Sequence, residues 1–375
     1  MNEVQLKRTW AEIDLNALEF NYQRIREHVG KGKKFLGVVK ANAYGHGAIQ
    51  IAMKLEKLGA DYLAVATFDE AKELRCNGIQ MPILILGYTP VELTEALIAH
   101  DITQTVSSFE KAKAYSAQAK RCGKVLRVHI KVDTGMSRLG FRVRGASFEN
   151  ALDEIQAACD LSHLYPEGIF THFAVSDEPD SENTEYTFVQ LDWFLRTIEA
   201  LAQRGRIFEI RHCANSGAIA NYPMAHLDMV RAGIILYGSG EGAEKLGLRS
   251  VMRLKSCIYN IAEFEAGAEI GYGRLFCTEH VSRIGVIPIG YADGLLRVLS
   301  NRLPVWTCQG SAMMRGRICM DMSMVDLTDL KDVREGDEVE IFGVHQKVDV
   351  LAKLAGTIPY ELLCAVSKRV PRVYI

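Results

Sequence analysis

The sequence predicts an α/β protein: an N-terminal (β/α)8 TIM-type barrel over residues 10–240, then a second, mostly β C-terminal domain over 241–375. Three observations lead there. Eight short apolar runs rich in β-branched residues recur between residues 34 and 235. Most are separated by stretches with helical spacing of apolar residues, so successive strands need crossovers and run parallel. After Tyr237 the alternation stops, and short strand-like runs broken by turn residues take over.

The eight runs are FLGVVK (35–40), YLAVAT (62–67), PILILG (82–87), ITQTVS (102–107), LRVHIKV (126–132), EGIFTHF (167–173), FEIRHC (208–213) and LDMVRAG (227–233). Helical spacing is clearest in Ile49–Leu58, Ala71–Cys76, Ala151–Ala158 and Phe188–Leu201. This count suits a closed barrel better than an open sheet. Ala11–Val29, ahead of the first run, is expected to add one helix. GSGEGAEKLG (238–247) reads as a glycine-rich loop at the change of pattern. Beyond it, VSRIGVIPIGYADG (281–294), PVWTCQG (304–310), CMDMSMVDL (319–327) and DEVEIFG (337–343) predict the smaller β domain.

Composition narrows the function. Of 375 residues, 48% are hydrophobic and 24% charged, the balance of a soluble globular chain. No apolar run approaches the roughly 20 residues of a membrane-spanning helix. MNEVQLKRTWAEIDL has no apolar core before a cleavage site, so no signal peptide is expected. A net charge of −2 without a basic stripe argues against a nucleic-acid partner. Nine scattered cysteines, an odd number without a C-x-x-C pair, form neither a disulfide framework nor a zinc site. No metal is therefore expected, and the setting is the reducing cytoplasm.

Chemistry gathers at strand ends, where a barrel places its catalytic groups. Lys40 closes the first run. A lysine in an apolar run is costly unless paired or covalently used, and such an amine suits Schiff-base formation. Taken alone, Lys40 fits better a strand-end lysine whose amine reaches solvent. Gly45 and Gly47 just after it allow a tight turn or close approach of a ligand. Later strand ends carry Lys131, Asp133 and Arg138, then His172, then His212, Asn215 and Ser216, then Arg231, Gly233 and Ile234. Singly these read as a core histidine, a helix cap or a surface arginine. Together, five such ends describe a polar mouth, with amides near Ser216 and Gly233 suited to a phosphate. In the smaller domain Tyr272, Tyr291 and Tyr360 each fit packing aromatics when read singly.

These segments occur in the order found in bacterial alanine racemases, pyridoxal-phosphate-dependent enzymes of fold type III, which the chain resembles along nearly its full length. The blocks are VVKANAYGHG (38–47), KVDTGMSRLGF (131–141), THFAVSDE (171–178), HCANSGA (212–218), VRAGIILYG (230–238), IPIGYADG (287–294), GRICMDM (316–322) and the closing YELLC with RVPR. The resemblance implies interconversion of L-alanine and D-alanine by two bases, supplying D-alanine for peptidoglycan. It makes Lys40 both the residue holding pyridoxal 5'-phosphate and one base, with Tyr272 the base on the opposite face. Two bases are needed because the proton must leave one face of Cα and return to the other.

By the same resemblance Arg231 faces the pyridine nitrogen, His172 and Arg231 assist Tyr272, and Tyr44, Ser216, Gly233, Ile234 and Tyr360 surround the phosphate. His212 packs near the ring and Asn215 belongs to the same cofactor set. Arg138 contacts the cofactor oxygen and the substrate carboxylate, which Met320 reaches from the partner subunit. Lys131 matches a position that carries a carbamate in many relatives. Asp321 receives no role. The implied assembly is a homodimer whose barrel mouth faces the other subunit's β domain.

Two other classes remain in view. Decarboxylases of basic amino acids share this architecture but place an acidic residue where Arg231 stands. A lone-barrel cofactor carrier lacks a domain like the one bearing Tyr272. A serine racemase is the nearest rival, and a small pocket closed by Tyr360 and Tyr291 favours alanine, although apolar pockets discriminate one hydroxyl weakly.

Overall fold

The first and last described strands meet in one sheet. In the computed structural model, which describes residues 8–375, β1 (Thr9–Ile13) runs antiparallel to β11 (Met252–Cys257) and parallel to β20 (Arg372–Tyr374). Residues 1–7, the first part of the stretch read for a leader, lie outside the described residues. The expected helix from Ala11 is therefore corrected. Trp10, Ala11 and Ile13 are buried as strand residues, and the helix spans Leu15–Val29. Asp14 sets that start by accepting the amides of Asn16 (3.0 Å) and Ala17 (2.8 Å). Leu18, Tyr22, Ile25 and Val29 then form its buried stripe. The boundary expected at residue 10 likewise moves, since β1 belongs to the second domain's sheet.

All eight expected barrel strands are present: β2 (Lys34–Val38), β3 (Tyr62–Val65), β4 (Ile83–Ile85), β5 (Ile102–Val106), β6 (Leu126–Asp133), β8 (Leu164–Phe170), β9 (Ile210–His212) and β10 (Met229–Ala232). A two-residue strand, β7 (Phe141–Arg142), branches from the end of β6. Neighbours pair in parallel and β10 returns to β2. The amide of Asp228 bonds the carbonyl of Arg211 (3.1 Å) and that of Arg231 the carbonyl of Ala214 (3.0 Å), nearly closing the ring. Residues of β3, β4 and β5 are buried on both faces, as a helix-wrapped parallel sheet requires.

The second sheet orders β12 (Asn260–Phe264), β15 (Ser282–Ile287), β18 (Ser323–Asp326), β17 (Gly310–Arg315), β16 (Pro304–Thr307), β19 (Glu338–Phe342), β11, β1 and β20, while β13 (Glu269–Ile270) pairs separately with β14 (Phe276–Cys277). Two helices, Val348–Ala355 and Pro359–Ala365, lie outside the strand pattern, and the second carries Tyr360. Within the glycine-rich loop a short helix forms at Glu241–Lys245, and Asp349 fastens it by accepting Ser239 Oγ (2.9 Å) and the Gly240 amide (2.8 Å).

Asp293 joins two family blocks and, through Arg369, a third. Its fully buried carboxylate accepts Arg8 (2.9 Å), Arg369 (2.7 Å) and the Gly290 amide (2.9 Å). Arg369 also donates to Asp321 at 2.6 Å, which gives that aspartate its place beside Met320.

Replacing Asp14 with alanine should lower unfolding stability by about 1 kcal/mol, the usual worth of such a cap. Denaturant unfolding should show an earlier midpoint at unchanged slope. An unshifted midpoint would show that the cap contributes nothing.

Candidate active site

Lys40 follows the end of β2, and the backbone after it is left-handed. Ala41, Asn42, Ala43 and Tyr44 have φ of 53°, 54°, 53° and 51°. Each such residue costs an L-amino acid roughly 1–2 kcal/mol. Offsetting bonds close the turn: Ala43 amide to Val39 carbonyl (2.8 Å), Gly45 to Ala41 (3.0 Å) and Gly47 to Asn42 (2.9 Å). Alanines carry no sequence signal for this conformation, so the turn was foreseen only at Gly45 and Gly47. Strain of this kind concentrates at functional sites.

The lysine borders two adjoining cavities at the C-terminal mouth. One, of about 130 Å³, is also lined by Tyr44, His172, Asn215, Ser216, Arg231, Gly233 and Tyr360. The other, of about 370 Å³, adds Lys131, Arg138 and Phe170. Burial holds the Lys40 amine below its ordinary pKa, and the Arg138 charge pushes the same way. A larger share of free amine, the nucleophilic form, follows.

Arg231 is fully enclosed, and burial pushes its pKa down to about 10. Its hydrogen bonds reach the carbonyls of Thr171 (2.9 Å) and Cys213 (3.1 Å), Nδ1 of His172 (3.3 Å) and Nδ1 of His212 (3.0 Å). A guanidinium only donates, so His212 Nδ1 must accept. Neutral His212 then carries its proton on Nε2, which bonds His129 Nδ1 at 2.9 Å. His129 in turn donates Nε2–H to Glu167 at 3.0 Å. Burial holds both histidines below the usual pKa, so the last contact is a neutral donor on a carboxylate. Burial opposes Glu167 ionisation, but bonds from His129 and Tyr62 outweigh it and hold its pKa low.

Register builds this relay. Lys131, Phe170 and His212 lie side by side across β6, β8 and β9. Phe170 stacks on His212 at 4.7 Å, and the Lys131 amine sits 4.7 Å over the same ring. One layer below, His129 opposes Gly168, where a Cβ would stand 2.7 Å from its imidazole. Any larger residue there would displace the ring.

A second cradle forms where β10 ends. The Gly233 amide donates to Ser216 Oγ at 3.0 Å, and a Cβ on Gly233 would lie 2.9 Å from the Tyr44 hydroxyl. Serine hydroxyl, tyrosine hydroxyl and bare backbone thus converge on one point. Asn215 borders the cavity but spends its Oδ1 on the amide of Ala218 (3.0 Å) and Ser176 Oγ (2.7 Å). Its work is capping. Asp133 holds the loop bearing Arg138 by accepting the amides of Gly135 (3.0 Å) and Ser137 (2.9 Å).

Lys131 is the outlier. Its amine is buried, without a hydrogen-bond partner among the described residues, and held well below the ordinary pKa by burial and by Arg231 and Arg138.

Most of the sequence-predicted residues therefore meet in one place, and four do not. His212 is fully buried, one hydrogen bond behind Arg231 rather than on the cavity wall. Ile234 lines a neighbouring cavity shared with Tyr360 and Ser216. Tyr272 and Met320 are 71% and 53% exposed and border neither Lys40 cavity of their own chain. Sequence reading passed over His129 and Glu167, although both lie in barrel runs already identified and polar residues in such runs were the available signal.

The chain matches a family model described as the alanine racemase N-terminal domain over residues 13–241, and one described as the C-terminal domain over 251–374. It is 44% identical to alanine racemase 1 of Clostridium acetobutylicum, covering 99% of this chain and 96% of the relative. It is equally identical to alanine racemase of Desulfovibrio desulfuricans, covering 98% of each. Among solved structures, alanine racemase of Clostridium difficile 630 superposes with a TM-score of 0.91 at 43% identity, over 98% of this chain and 95% of that one. Alanine racemase of Bacillus anthracis, solved with bound L-Ala-P, gives 0.88 at 32% identity, again over 98% and 95%.

The buried histidines make stability depend on pH. His46 is pushed by burial down to about 4, and burial also keeps His129, His172 and His212 low. In the unfolded chain each takes a proton from about pH 6.5 downward, so the unfolded state binds more protons there. Stability should be full above about 6.5 and fall toward pH 4, with His46→Gln showing a shallower fall. Denaturant unfolding across that range checks this, and a flat profile would contradict it.

Proposed function

The chain belongs to the alanine racemase family and is an amino-acid racemase, and from that premise we propose that it interconverts L-alanine and D-alanine on pyridoxal 5'-phosphate, with two bases contributed by two copies of the chain. The observation that carries the reading is the Lys40 amine, burial-depressed and set between the Arg231 guanidinium and the Ser216–Gly233–Tyr44 cradle. These residues fit the cofactor at both of its ends. The cradle offers hydroxyls and uncrowded backbone to a phosphate, and Tyr360 and Ile234 border the same region. Arg231 offers the opposite pole only donors, so a ring nitrogen there stays an acceptor.

When bound, the cofactor supplies an aldehyde that captures amines and a ring that acidifies the Cα–H bond. The protein's residues do the rest. Lys40 takes or returns the Cα proton on one face. Tyr272 of the second copy serves the other, and His172, bonded through Nδ1 to Arg231, presents Nε2–H to the cavity. Arg138 and Met320 bind the substrate carboxylate. The small cavity limits the side chain and favours alanine.

Lys131 has the properties a carbamate-forming lysine needs. Only a neutral amine adds carbon dioxide, and the resulting anion would offset the surrounding arginine charge. The C. difficile relative solved in complex with cycloserine supports a small amino-acid-like ligand for this fold. In this reading the two domains divide the labour, the barrel holding the cofactor and the C-terminal domain bringing Tyr272.

The scattered, odd-numbered cysteines without a C-x-x-C pair fit a reducing cytoplasm, and no described helix is long and apolar enough to cross a membrane. The product would serve peptidoglycan synthesis. Exposed Tyr272, Leu275, Met320 and Met322 on the C-terminal domain support a homodimer in which this surface covers the partner's barrel mouth.

The purified protein should be yellow, and borohydride reduction with peptide mapping should fix the cofactor on Lys40. Label on a different lysine would overturn the site. Mixing inactive Lys40→Ala with inactive Tyr272→Ala chains should restore activity, because a mixed dimer holds one complete site. No recovery after demonstrated subunit exchange would refute sharing.

A further inference from the structure

The peptide that follows Lys40 is held by a carboxylate from the next barrel unit. Glu70 lies in the first turn of the helix Phe68–Cys76, which follows β3. Its Oε2 accepts the amides of Ala66 (2.7 Å) and Thr67 (3.3 Å), and Thr67 Oγ1 accepts the Glu70 amide (3.3 Å). That reciprocal pair is an ordinary capping box and explains one oxygen of the two. The other oxygen leaves the helix. Oε1 accepts the amide of Ala41 at 2.6 Å, across to the end of β2. Ala41 is the residue after Lys40 and the first of the left-handed run.

We propose that Glu70 is a positioning residue for Lys40, fixing the strained turn that aims the amine and setting a negative charge against the cations that crowd it. Two independent observations support this. The Ala41 contact is superfluous to capping and falls on the peptide where the backbone changes hand. Electrostatically, burial, Arg138 and Arg231 all favour the neutral amine, and Glu70 is the main group opposing them, ahead of Cys364. A lysine that must exchange a proton repeatedly needs both forms accessible, so a counterweight to the surrounding arginines is useful chemistry.

The inference rests on Lys40 being the cofactor-bearing lysine, but its test can be separated from that reading. Full-length protein freed of cofactor with hydroxylamine, its fold checked by near-ultraviolet circular dichroism, is labelled with a trace acylating reagent over a pH series. Peptide mapping then gives the titration midpoint of Lys40. Glu70→Gln should lower that midpoint by about half a pH unit or more, roughly a threefold gain in labelling below it. Thr67→Ala weakens the same cap without touching Ala41 or the charge, so it should cost stability and leave the midpoint alone.

Glu70→Asp keeps the charge but shortens the reach. It should hold the midpoint closer to wild type while amide exchange across residues 41–45 quickens. A Lys40 midpoint in Glu70→Gln that matches Thr67→Ala would overturn the electrostatic role. Unchanged exchange at 41–45 in Glu70→Asp would overturn the turn-fixing role, and this variant also carries the test should Glu70→Gln fail to fold. A chain that takes up no cofactor would defeat the function reading while leaving the labelling result meaningful.

Discussion

A cation buried in a barrel without a touching carboxylate is the constraint on which this site depends. Arg231 is bonded to two carbonyls and two histidines, and it acts with the Arg138 guanidinium on the buried Lys131 amine. Isolated burial of such a charge is prohibitive. The relay through His212 and His129 answers it by connecting the guanidinium to Glu167 deeper in the barrel. Because arginine can only donate, every proton along the relay is assigned in one direction. Both imidazoles must be neutral and hold their proton on Nε2. The hydrogen-bonded chain therefore keeps an arginine charged and immobile at the mouth while leaving His172 neutral beside the cavity.

The same constraint shapes the chemistry of the neighbours. Positive charge around Lys40 and Lys131 disfavours a second and third ammonium, so both amines lean toward their neutral, reactive forms. Glu70 opposes this at Lys40 and Asp133 at Lys131, although the Lys131 amine has no hydrogen-bond partner among the described residues. An anionic ligand, with a phosphate at one end and a carboxylate on its substrate, would complete the balance.

Sequence reading reached the barrel because each apolar run is bounded by a clear change of composition, and Lys40, His172 and Arg231 stand at those bounds. It overextended the first helix because Ala11–Ile13 is compatible with helical spacing. Only its pairing with Met252–Leu254 and Arg372–Tyr374, distant in sequence, makes it a strand. The left-handed turn after Lys40 was invisible because alanine does not announce φ above zero. The relay was hidden for another reason. His129 and Glu167 are 38 residues apart in sequence, and only the β6–β8 register, with Gly168 leaving space for the ring, brings them together. Tyr272 and Met320 were named through family resemblance alone, and both are exposed on their own chain.

The most direct measurement of the relay is nitrogen-15 NMR on protein labelled in histidine, with His129→Gln and His212→Gln used for assignment. Both rings should appear neutral and protonated at Nε2 at pH 7, with His212 Nδ1 shifted as a strong acceptor from arginine. An imidazolium signal from either ring, or a proton on His212 Nδ1, would mean that Arg231 is held in some other way.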